Sequence, residues 1–492
     1  MKVSKLATIM ALAGMLPCGL AMAQSPVRQP SSVQQTAFAY GSYYDEGEAE
    51  GGAASASPSD APAAAEPAPA PAASNTACTT CNTGCSTCDS GCDTCDSDPW
   101  SLFGDCEHLK CHNITVAGWL AQSFTVNPAG PSDRWNGPVT WNDRSNDYQL
   151  NQFYLYGERA TDTGGDGWDL GGRVDALYGT DHRFTTATGL ETNGNANPVW
   201  NSGRFYGLAL PQFYVEAAYN DLKVKMGHWY SPVGYEVVPT TGNFFTTLPY
   251  TFQYGEPFTH TGVLATYSLT DKWTVGGGFQ HGWDNFDNTG NPNLGFIGTV
   301  SRSFDSGGSV AMVFVQSNEL VGSGAYRQRY LQTFVFQQPL NDNWSYVAQS
   351  DLGIQNDALD PTVNNGMGRW YGLNQYLFYK ASDTLTWGLR AEWFRDEGGT
   401  RVGGFLQPTP TGQERGLPGP AFGNLQRTGY DGSFYEMTFG PNWKPNGNLV
   451  VRPNVRWDWF SGKANNPAGL RPYNDGVSNS QFLFLVDAIV TF

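Results

Sequence analysis

The chain has 492 residues, of which 15% are charged and 14% aromatic, and it contains 59 glycines, 16 tryptophans and 24 tyrosines. Soluble proteins of this length carry more charge and more aliphatic core residues, so the composition argues against a set of ordinary soluble domains. The net charge of -17 excludes the basic footprint of a nucleic-acid-binding protein, and no nucleic-acid partner is predicted.

The first 23 residues have the pattern of a secretory signal peptide. Lys2 and Lys5 form a short basic region, residues 6–20 are mainly apolar, and an Ala-Met-Ala cleavage site ends at Ala23. The apolar stretch is too short for a membrane anchor, and no later stretch reaches about 18 apolar residues. The sequence therefore predicts export, and a membrane location would require a closed barrel.

Residues 24–77 form a linker rich in Ala, Pro, Ser and acidic residues. Together with the next residues up to position 113, they hold twelve acidic and two basic residues, which is most of the negative charge of the chain. Such a composition cannot bury enough apolar surface to offset the entropy lost on ordering. We therefore expect a disordered leader in the periplasm.

A cysteine-rich segment occupies residues 78–112. Three Cys-x-x-Cys pairs recur every seven residues, and two further cysteines follow close to His108 and His112. The eight cysteines are Cys78, Cys81, Cys85, Cys88, Cys92, Cys95, Cys106 and Cys111. In an exported protein they favour disulfides or cross-links. The spacing also suits zinc or an iron–sulfur cluster, but few apolar residues could fold around a metal, so no metal or other cofactor is predicted. A segment without a defined role is the third alternative.

From Asn113 to Phe492 the chain divides into segments of about ten residues, many of which alternate in polarity. In residues 384–393, Leu, Trp, Leu, Ala and Trp share one face, and Thr, Gly, Arg and Glu share the other. Such strands can cross a bilayer at a tilt, with Trp and Tyr near their ends. Short links such as 220–221 alternate with long ones such as 230–259. The pattern predicts an all-β fold, a transmembrane antiparallel up-and-down β-barrel of about sixteen strands.

The predicted strands lie near 114–124, 149–160, 167–179, 207–218, 221–229, 260–269, 272–282, 294–304, 309–317, 326–338, 343–354, 369–381, 384–395, 431–442, 448–460 and 480–492. An even number of strands places both ends of the barrel on the same side of the membrane. The short links are expected to face the periplasm, and the long ones the outside.

The last predicted strand supports a membrane barrel. Counting back in twos from Phe492 places Val, Ala, Val, Phe and Phe on the same face. A terminal aromatic residue after an amphipathic strand resembles the signal read by the barrel-assembly machinery. This machinery and outer-membrane lipid are therefore expected partners. In a soluble protein the same strand would be an exposed, aggregation-prone edge.

Several stretches of the sequence resemble one family of outer-membrane proteins. They are Asn113–Trp119, Tyr148–Tyr154, Glu158-Arg159, Lys225–His228, Ser231–Glu236, Glu256–Gly262 and His281–Asp284. Together they resemble the OmpL-like beta-barrel porin-2 family over about residues 113–492, without the cysteine-rich segment. The resemblance implies a porin of a Gram-negative-type outer membrane, which forms a passive aqueous diffusion channel for small solutes or ions. It names no particular solute and leaves a homo-oligomer open.

A barrel of about sixteen strands encloses an aqueous lumen, which the polar face of each strand is expected to line. The charged residues placed on that face are Asp169, Arg173, Asp175, Lys223, Lys225, Arg390, Glu392, Arg452, Arg456 and Asp458. Opposite charges across a lumen bias which ions pass. A structural salt bridge is an equally good interpretation of each residue taken alone.

The long link at residues 230–259 is unusually rich in aromatic residues. They are Phe244, Phe245, Tyr250, Phe252, Tyr254 and Phe258. A loop lying wholly in water rarely carries so many apolar rings. We expect it to fold into the lumen as a constriction, and packing against neighbouring loops at the mouth is the alternative.

The sequence offers little for catalysis. It has six histidines and neither a Gly-x-Ser-x-Gly nor a His-Glu-x-x-His motif. His228, His260 and His281 lie within the porin-like stretches, near the external ends of predicted strands. No catalytic residue is therefore predicted, and the protein is not expected to be an enzyme. The alternative to a porin is a structural or adhesive outer-membrane barrel, anchored or cross-linked through the cysteine-rich segment.

Overall fold

The computed structural model describes residues 99–104, 106–132, 134–191, 205–287, 294–320, 325–358, 366–402, 429–464 and 469–492. The predicted signal peptide, the linker and the cysteines from Cys78 to Cys95 lie outside the described residues. Within the described ranges, no helix is both long and apolar enough to span a membrane.

The described residues form one large antiparallel sheet. Its strands are β1 (Thr115–Val126), β2 (Asp147–Arg159), β3 (Trp168–Gly179), β4 (Gly207–Ala209), β5 (Phe213–Tyr219), β6 (Leu222–Tyr230), β7 (Thr259–Thr270), β8 (Trp273–Gln280), β9 (Gly295–Ser303), β10 (Ser309–Leu320), β11 (Tyr326–Pro339), β12 (Trp344–Gln355), β13 (Gly368–Ser382), β14 (Leu385–Glu397), β15 (Tyr430–Asn446), β16 (Leu449–Ala464) and β17 (Ser480–Thr491). Successive strands pair along the chain, and β1 pairs with β17, which closes the sheet into a barrel.

The barrel has sixteen strands and one extra short strand, which confirms the predicted fold. The predicted strand at 207–218 is divided at residues 210–212, so that β4 and β5 both pair with β3. Pro211 lies at this interruption and has no N–H to donate to a neighbouring strand. The other strand ends lie within four residues of their predicted positions.

Alternate residues of each strand face the two sides of the barrel wall. On β14, for example, Trp393 is exposed whereas its neighbours Glu392 and Phe394 are buried. Short and long links also alternate, so one end of the barrel carries links such as 220–221 and the other carries links such as 231–258. Both features are those of transmembrane barrels.

The residues before the barrel contact its short-link end. The Trp100 N–H donates to Asn448 Oδ1 at 2.9 Å, and Asn448 Nδ2 donates to the Trp100 carbonyl at 2.8 Å. The Trp100 ring also stacks on Phe492, with centroids 6.5 Å apart. A short helix, α1 (Glu107–Cys111), then leads into β1.

Gly118 in β1 lies in a crowded part of the seam where the barrel closes. Its N–H donates to the Phe492 carbonyl at 2.9 Å, and a Cβ added to it would lie 2.2 Å from the Tyr154 carbonyl oxygen. We expect Gly118→Ala to displace the seam at a cost of about 1–3 kcal/mol and to lower the midpoint of thermal unfolding, measured as the gel shift of the folded barrel on heating. Gly157→Ala in β2 is the control, because a Cβ there would meet nothing within 4 Å. Equal midpoints for the two variants would contradict this prediction.

Candidate functional site

A row of polar side chains crosses the inner face of four neighbouring strands. Asn374, Glu392, Glu436 and Asp458 are successive cross-strand partners on β13, β14, β15 and β16. All four are buried. They share one face because residues at the same register in an antiparallel sheet point to the same side. The barrel thus builds a continuous acidic and polar row on its inner wall.

The loop between β6 and β7, residues 231–258, lies against this row, and we call it the lumen loop. The N–H groups of Tyr250 and Thr251 donate to the Glu392 carboxylate at 2.7 and 2.6 Å, and the Thr251 hydroxyl donates to it at 2.7 Å. These residues begin a single π-helical turn, Thr251–Gly255. Glu392 therefore satisfies backbone donors at the start of this turn, as a capping residue does.

Arg390 joins the wall to the lumen loop by charge. Its guanidinium forms ion pairs with Glu436 at 2.9 Å and with Glu236 of the loop at 2.8 Å. It also donates to the Thr247 carbonyl at 2.7 Å. All three charged groups are buried, so each depends on the others to offset the cost of leaving water.

Two further arginines hold the loop through its backbone carbonyls. Arg452 donates to the carbonyls of Thr240 and Asn243 at 3.0 and 2.6 Å and pairs with Asp487 of β17. Arg456 donates to the Leu248 carbonyl at 2.8 Å and pairs with Asp458 at 2.8 Å. Both arginines are 0% exposed because the lumen loop covers them.

Other contacts extend the lumen loop across the barrel. The Thr240 N–H donates to Gln152 of β2 at 3.1 Å, and the Tyr235 N–H donates to Gln349 of β12 at 2.8 Å. The Trp370 indole of β13 donates to the Gly255 carbonyl at 3.0 Å. The loop therefore contacts inward-facing residues of β2, β12 and β13 in addition to those of β14 and β16.

Two buried acidic side chains, Glu256 near the end of the lumen loop and Asp351 on β12, lie on either side of the Gln349 amide. Gln349 Nε2 donates to Glu256 Oε1 and to Asp351 Oδ1. Burial, together with the nearby Asp351 carboxyl, raises the pKa of Glu256 well above its usual value. A raised pKa favours the protonated form of Glu256, which lessens the repulsion that two neighbouring carboxylates would otherwise produce.

The six aromatic residues singled out in the sequence are all buried within the barrel. They are Phe244, Phe245, Tyr250, Phe252, Tyr254 and Phe258. The Phe244 ring lies 4.8 Å from Phe378 of β13, and the Tyr250 ring lies 4.9 Å from Phe434 of β15. The Tyr250 hydroxyl also donates to Asp458 at 2.8 Å. These rings thus pack on inward-facing side chains of the wall.

The ten charged residues predicted on the inner face fall into two sets. Seven are buried: Arg173, Asp175, Arg390, Glu392, Arg452, Arg456 and Asp458. Asp169, Lys223 and Lys225, on β3 and β6, remain partly exposed. The lumen loop contacts the buried charged residues of β14 and β16. The partly exposed residues lie on β3 and β6, away from the main contacts of the loop.

Four of the five charged residues on β3 and β6 have an oppositely charged partner nearby. Arg173 pairs with Asp175 at 2.7 Å and with Glu158 at 3.0 Å, and Lys223 lies 4.0 Å from Glu216.

The ammonium group of Lys225 differs from these, because it lies 4.2 Å from the centroid of the Tyr214 ring. An aromatic ring attracts a cation less strongly than a carboxylate does, so Lys225 keeps the most freely available positive charge of this group.

Sequence reasoning missed several residues on which the loop depends. Glu436 and Asp487 face inward on strands that were correctly predicted, so alternation could have found them. Gln152 and Gln349 carried no signal, because an amide on a strand is unremarkable until its distant partner in the loop is known.

Another buried ion pair joins two other long links. Arg183 of the short helix α2 (His182–Thr185) donates to both carboxylate oxygens of Asp143 at 2.8 and 2.9 Å. Burial alone would raise the pKa of Asp143, but the attraction and hydrogen bonds of Arg183 outweigh it and hold that pKa below its usual value.

The closed sixteen-stranded barrel, its lipid-facing apolar residues and its inward-folded loop define a porin-type outer-membrane barrel. The family model described as "Putative beta-barrel porin-2, OmpL-like" matches residues 113–492. The chain belongs to this family. No curated protein matches the sequence.

Several solved outer-membrane proteins are similar to this chain at low sequence identity. The outer membrane channel DcaP of Acinetobacter baumannii is 10% identical, with a TM-score of 0.48 over 77% of this chain and 97% of that one. OprB of Pseudomonas putida, in its high-pH structure, is 13% identical, with a TM-score of 0.49 over 78% and 96% of the two chains. An anion-selective porin from Comamonas acidovorans is 10% identical, with a TM-score of 0.46 over 77% and 99%.

The Asp143–Arg183 pair gives a prediction on pH. Because the folded-state pKa of Asp143 is lowered, the pair stabilises the fold at neutral pH and loses its effect as the pH falls through that pKa. Asp143→Asn should therefore cost about 3–5 kcal/mol at pH 7, because the buried Arg183 loses the carboxylate that offsets its charge. The cost should begin to shrink as the pH falls below 3.8, the usual carboxyl value, and should be smallest below the folded-state pKa.

The measurement is the thermal midpoint of the barrel at pH 7 and at progressively lower pH. Asp166→Asn, an exposed carboxylate in the link between β2 and β3, is the control and should change little. A midpoint difference between wild type and Asp143→Asn that is the same at every pH would refute the electrostatic explanation.

Proposed function

We propose that this protein works in the outer membrane as a passive aqueous diffusion channel for small solutes or ions. The observation that carries the proposal is the lumen loop, held inside a sixteen-stranded barrel by Glu392, Arg390, Arg452 and Arg456. A barrel of this size encloses more space than its own wall side chains fill. A single loop fixed inside it narrows the lumen and leaves a selective passage, as a constriction does.

The proposed passage follows the inner faces of β3 and β5–β8. The lumen loop packs on the inner wall from β12 to β16, where the charged side chains are covered. Across from it, Lys223 and Lys225 are partly exposed, and the next inward positions on β6, β7 and β8 include Gly227, Gly262 and Gly276. Small residues on a wall leave room for solute, so this side suits transit.

The proposed passage gives the charged residues two roles. Asp169, Lys223 and Lys225 would contact solutes, whereas the covered arginines would position the constriction. The six aromatic residues of the lumen loop would form the body of that constriction by packing on the wall. No step of this transport needs a catalytic group, and we propose no enzymatic activity.

The N-terminal leader is proposed to lie in the periplasm. The hydrogen bonds between Trp100 and Asn448, at the short-link end of the barrel, support this proposal, because that end faces the periplasm in outer-membrane barrels. A homo-oligomer in the membrane and insertion by the barrel-assembly machinery remain part of the proposal.

Two observations favour a second candidate, a structural or adhesive barrel. Arg390, Arg452 and Arg456 are fully covered, as they would be in a plugged lumen. Cys106 and Cys111 are exposed and not joined in a disulfide, so they are available for a cross-link at the short-link end. This candidate differs from the first in one measurable property, the conduction of ions.

The direct test is the conductance of the purified protein in a planar lipid bilayer. A diffusion channel should give stepwise, ohmic openings, with a conductance reduced by the constriction inside the barrel. A boiled sample should give none. A protein that circular dichroism shows to be folded β and that produces no openings would favour the plugged, structural barrel.

Lys225 tests where the passage runs. Replacing it by Glu exchanges a partly exposed positive charge for a negative one, so the reversal potential in a salt gradient should move toward cation preference. We expect a change of at least about twofold in the permeability ratio. Lys272→Glu is the matched control, because Lys272 lies in a short link and pairs with Asp305. An unchanged ratio for Lys225→Glu in a conducting barrel would place the passage elsewhere.

A further inference from the structure

Charged residues gather on the lipid-facing side of the wall at the long-link ends of β13–β16. We call this group the rim array: Arg369, Arg395, Glu397, Asp431 and Lys463. Arg369 is the cross-strand partner of Glu397, and Asp431 is that of Lys463. On its own strand, each of these residues is separated from an exposed apolar residue by an even number of positions. The array therefore faces outward, on the same side of the wall as those apolar residues.

The rim array is ordered by its own contacts. Arg395 Nη2 pairs with Asp431 Oδ1 at 3.0 Å, and both side chains remain one-third exposed. The Tyr371 hydroxyl, on the same face, donates to Glu397 at 3.1 Å. Asp431 thus orders Arg395, and because a guanidinium group has five N–H donors, this pairing leaves other donors of Arg395 available.

A row of aromatic residues lies next to the rim array on the membrane side. Trp393, Tyr435 and Trp459 are successive cross-strand partners on β14, β15 and β16. The rings of Tyr435 and Trp459 stack with centroids 5.1 Å apart, and the Trp393 indole donates to Ser433 at 3.1 Å. Such a belt marks the boundary between acyl chains and headgroups in transmembrane barrels.

The order of the two rows fixes the level of the rim array in the membrane. The rim array lies two to four residues beyond the aromatic row along each strand, toward the long links that face the outside. The array is therefore level with the headgroups of the outer leaflet. Solute in the lumen lies on the other side of the wall.

We propose that the rim array binds the phosphate groups of a phosphorylated glycolipid in the outer leaflet. Three cations against two carboxylates give the array a surplus of positive charge on a lipid-facing surface. The guanidinium fork of Arg369 and Arg395 matches phosphate oxygens in pairs, and the exposed ammonium group of Lys463 adds a third contact. The aromatic row beneath it packs against the acyl chains of the same lipid.

The test measures lipid retention rather than conductance, so it stands apart from the channel proposal. Purified protein is incubated with bis-phosphorylated lipid A or with its dephosphorylated form, exchanged into fresh detergent, and the retained lipid is counted by native mass spectrometry. Wild type should retain the phosphorylated form. The triple variant Arg369→Gln, Arg395→Gln, Lys463→Gln should retain at least about fivefold less.

A second triple variant controls for total charge: Lys272→Gln, Arg302→Gln and Lys444→Gln remove three cations from the short-link end and should leave retention unchanged. Lys463→Glu alone keeps the Arg395–Asp431 pair and serves if the first triple variant fails the heat-shift test of folding; it should lower retention as well. Equal retention by wild type and the rim variants would overturn the proposal. So would equal retention of phosphorylated and dephosphorylated lipid by wild type.

Discussion

Backbone hydrogen bonding in lipid is the constraint on which the rest of this structure depends. Hydrocarbon offers no partner to an amide, so a strand that crosses it must pair on both edges. The pairing of β1 with β17, from Trp119–Thr491 to Val126–Phe484, removes the last free edge. Closure forces alternate residues toward lipid or toward the interior. Closure therefore places charged residues in a lumen that the side chains of the wall alone cannot fill.

That interior charge must be satisfied without bulk water wherever the lumen loop covers it. Arg390 shows how: its partners are Glu436 on the wall, Glu236 in the loop and the Thr247 carbonyl. Leaving any of these charges buried and alone would cost several kcal/mol, so the loop and the wall stabilise each other. Loop carbonyls suit this role because arginine has donors to spare after pairing with a carboxylate. The lumen loop is thus part of the folded barrel and not an appendage at its mouth.

The parts of the fold that sequence could predict are those set by local pattern. Alternation in residues 384–393 located β14, and a short link such as 220–221 located a turn, because both depend on neighbours in the chain. The division of one predicted strand into β4 and β5 had a visible signal in Pro211. The sequence had no comparable signal for which of the inward-facing charged residues the lumen loop covers. The contact of Arg452 with the Thr240 carbonyl joins residues that are 212 positions apart, and no local pattern records such a distance.

The division of the lumen charges also determines where solute preference can vary. Removing Arg452 leaves Asp487 buried without its partner. Replacement of this arginine would therefore destabilise the fold, whatever its effect on transport. Lys225 is under no such constraint, because its ammonium group rests on the Tyr214 ring and is partly exposed. Replacing it leaves no buried charge unpaired. A barrel built in this way can therefore change its ion preference through β3 and β6 while β14 and β16 keep the loop in position.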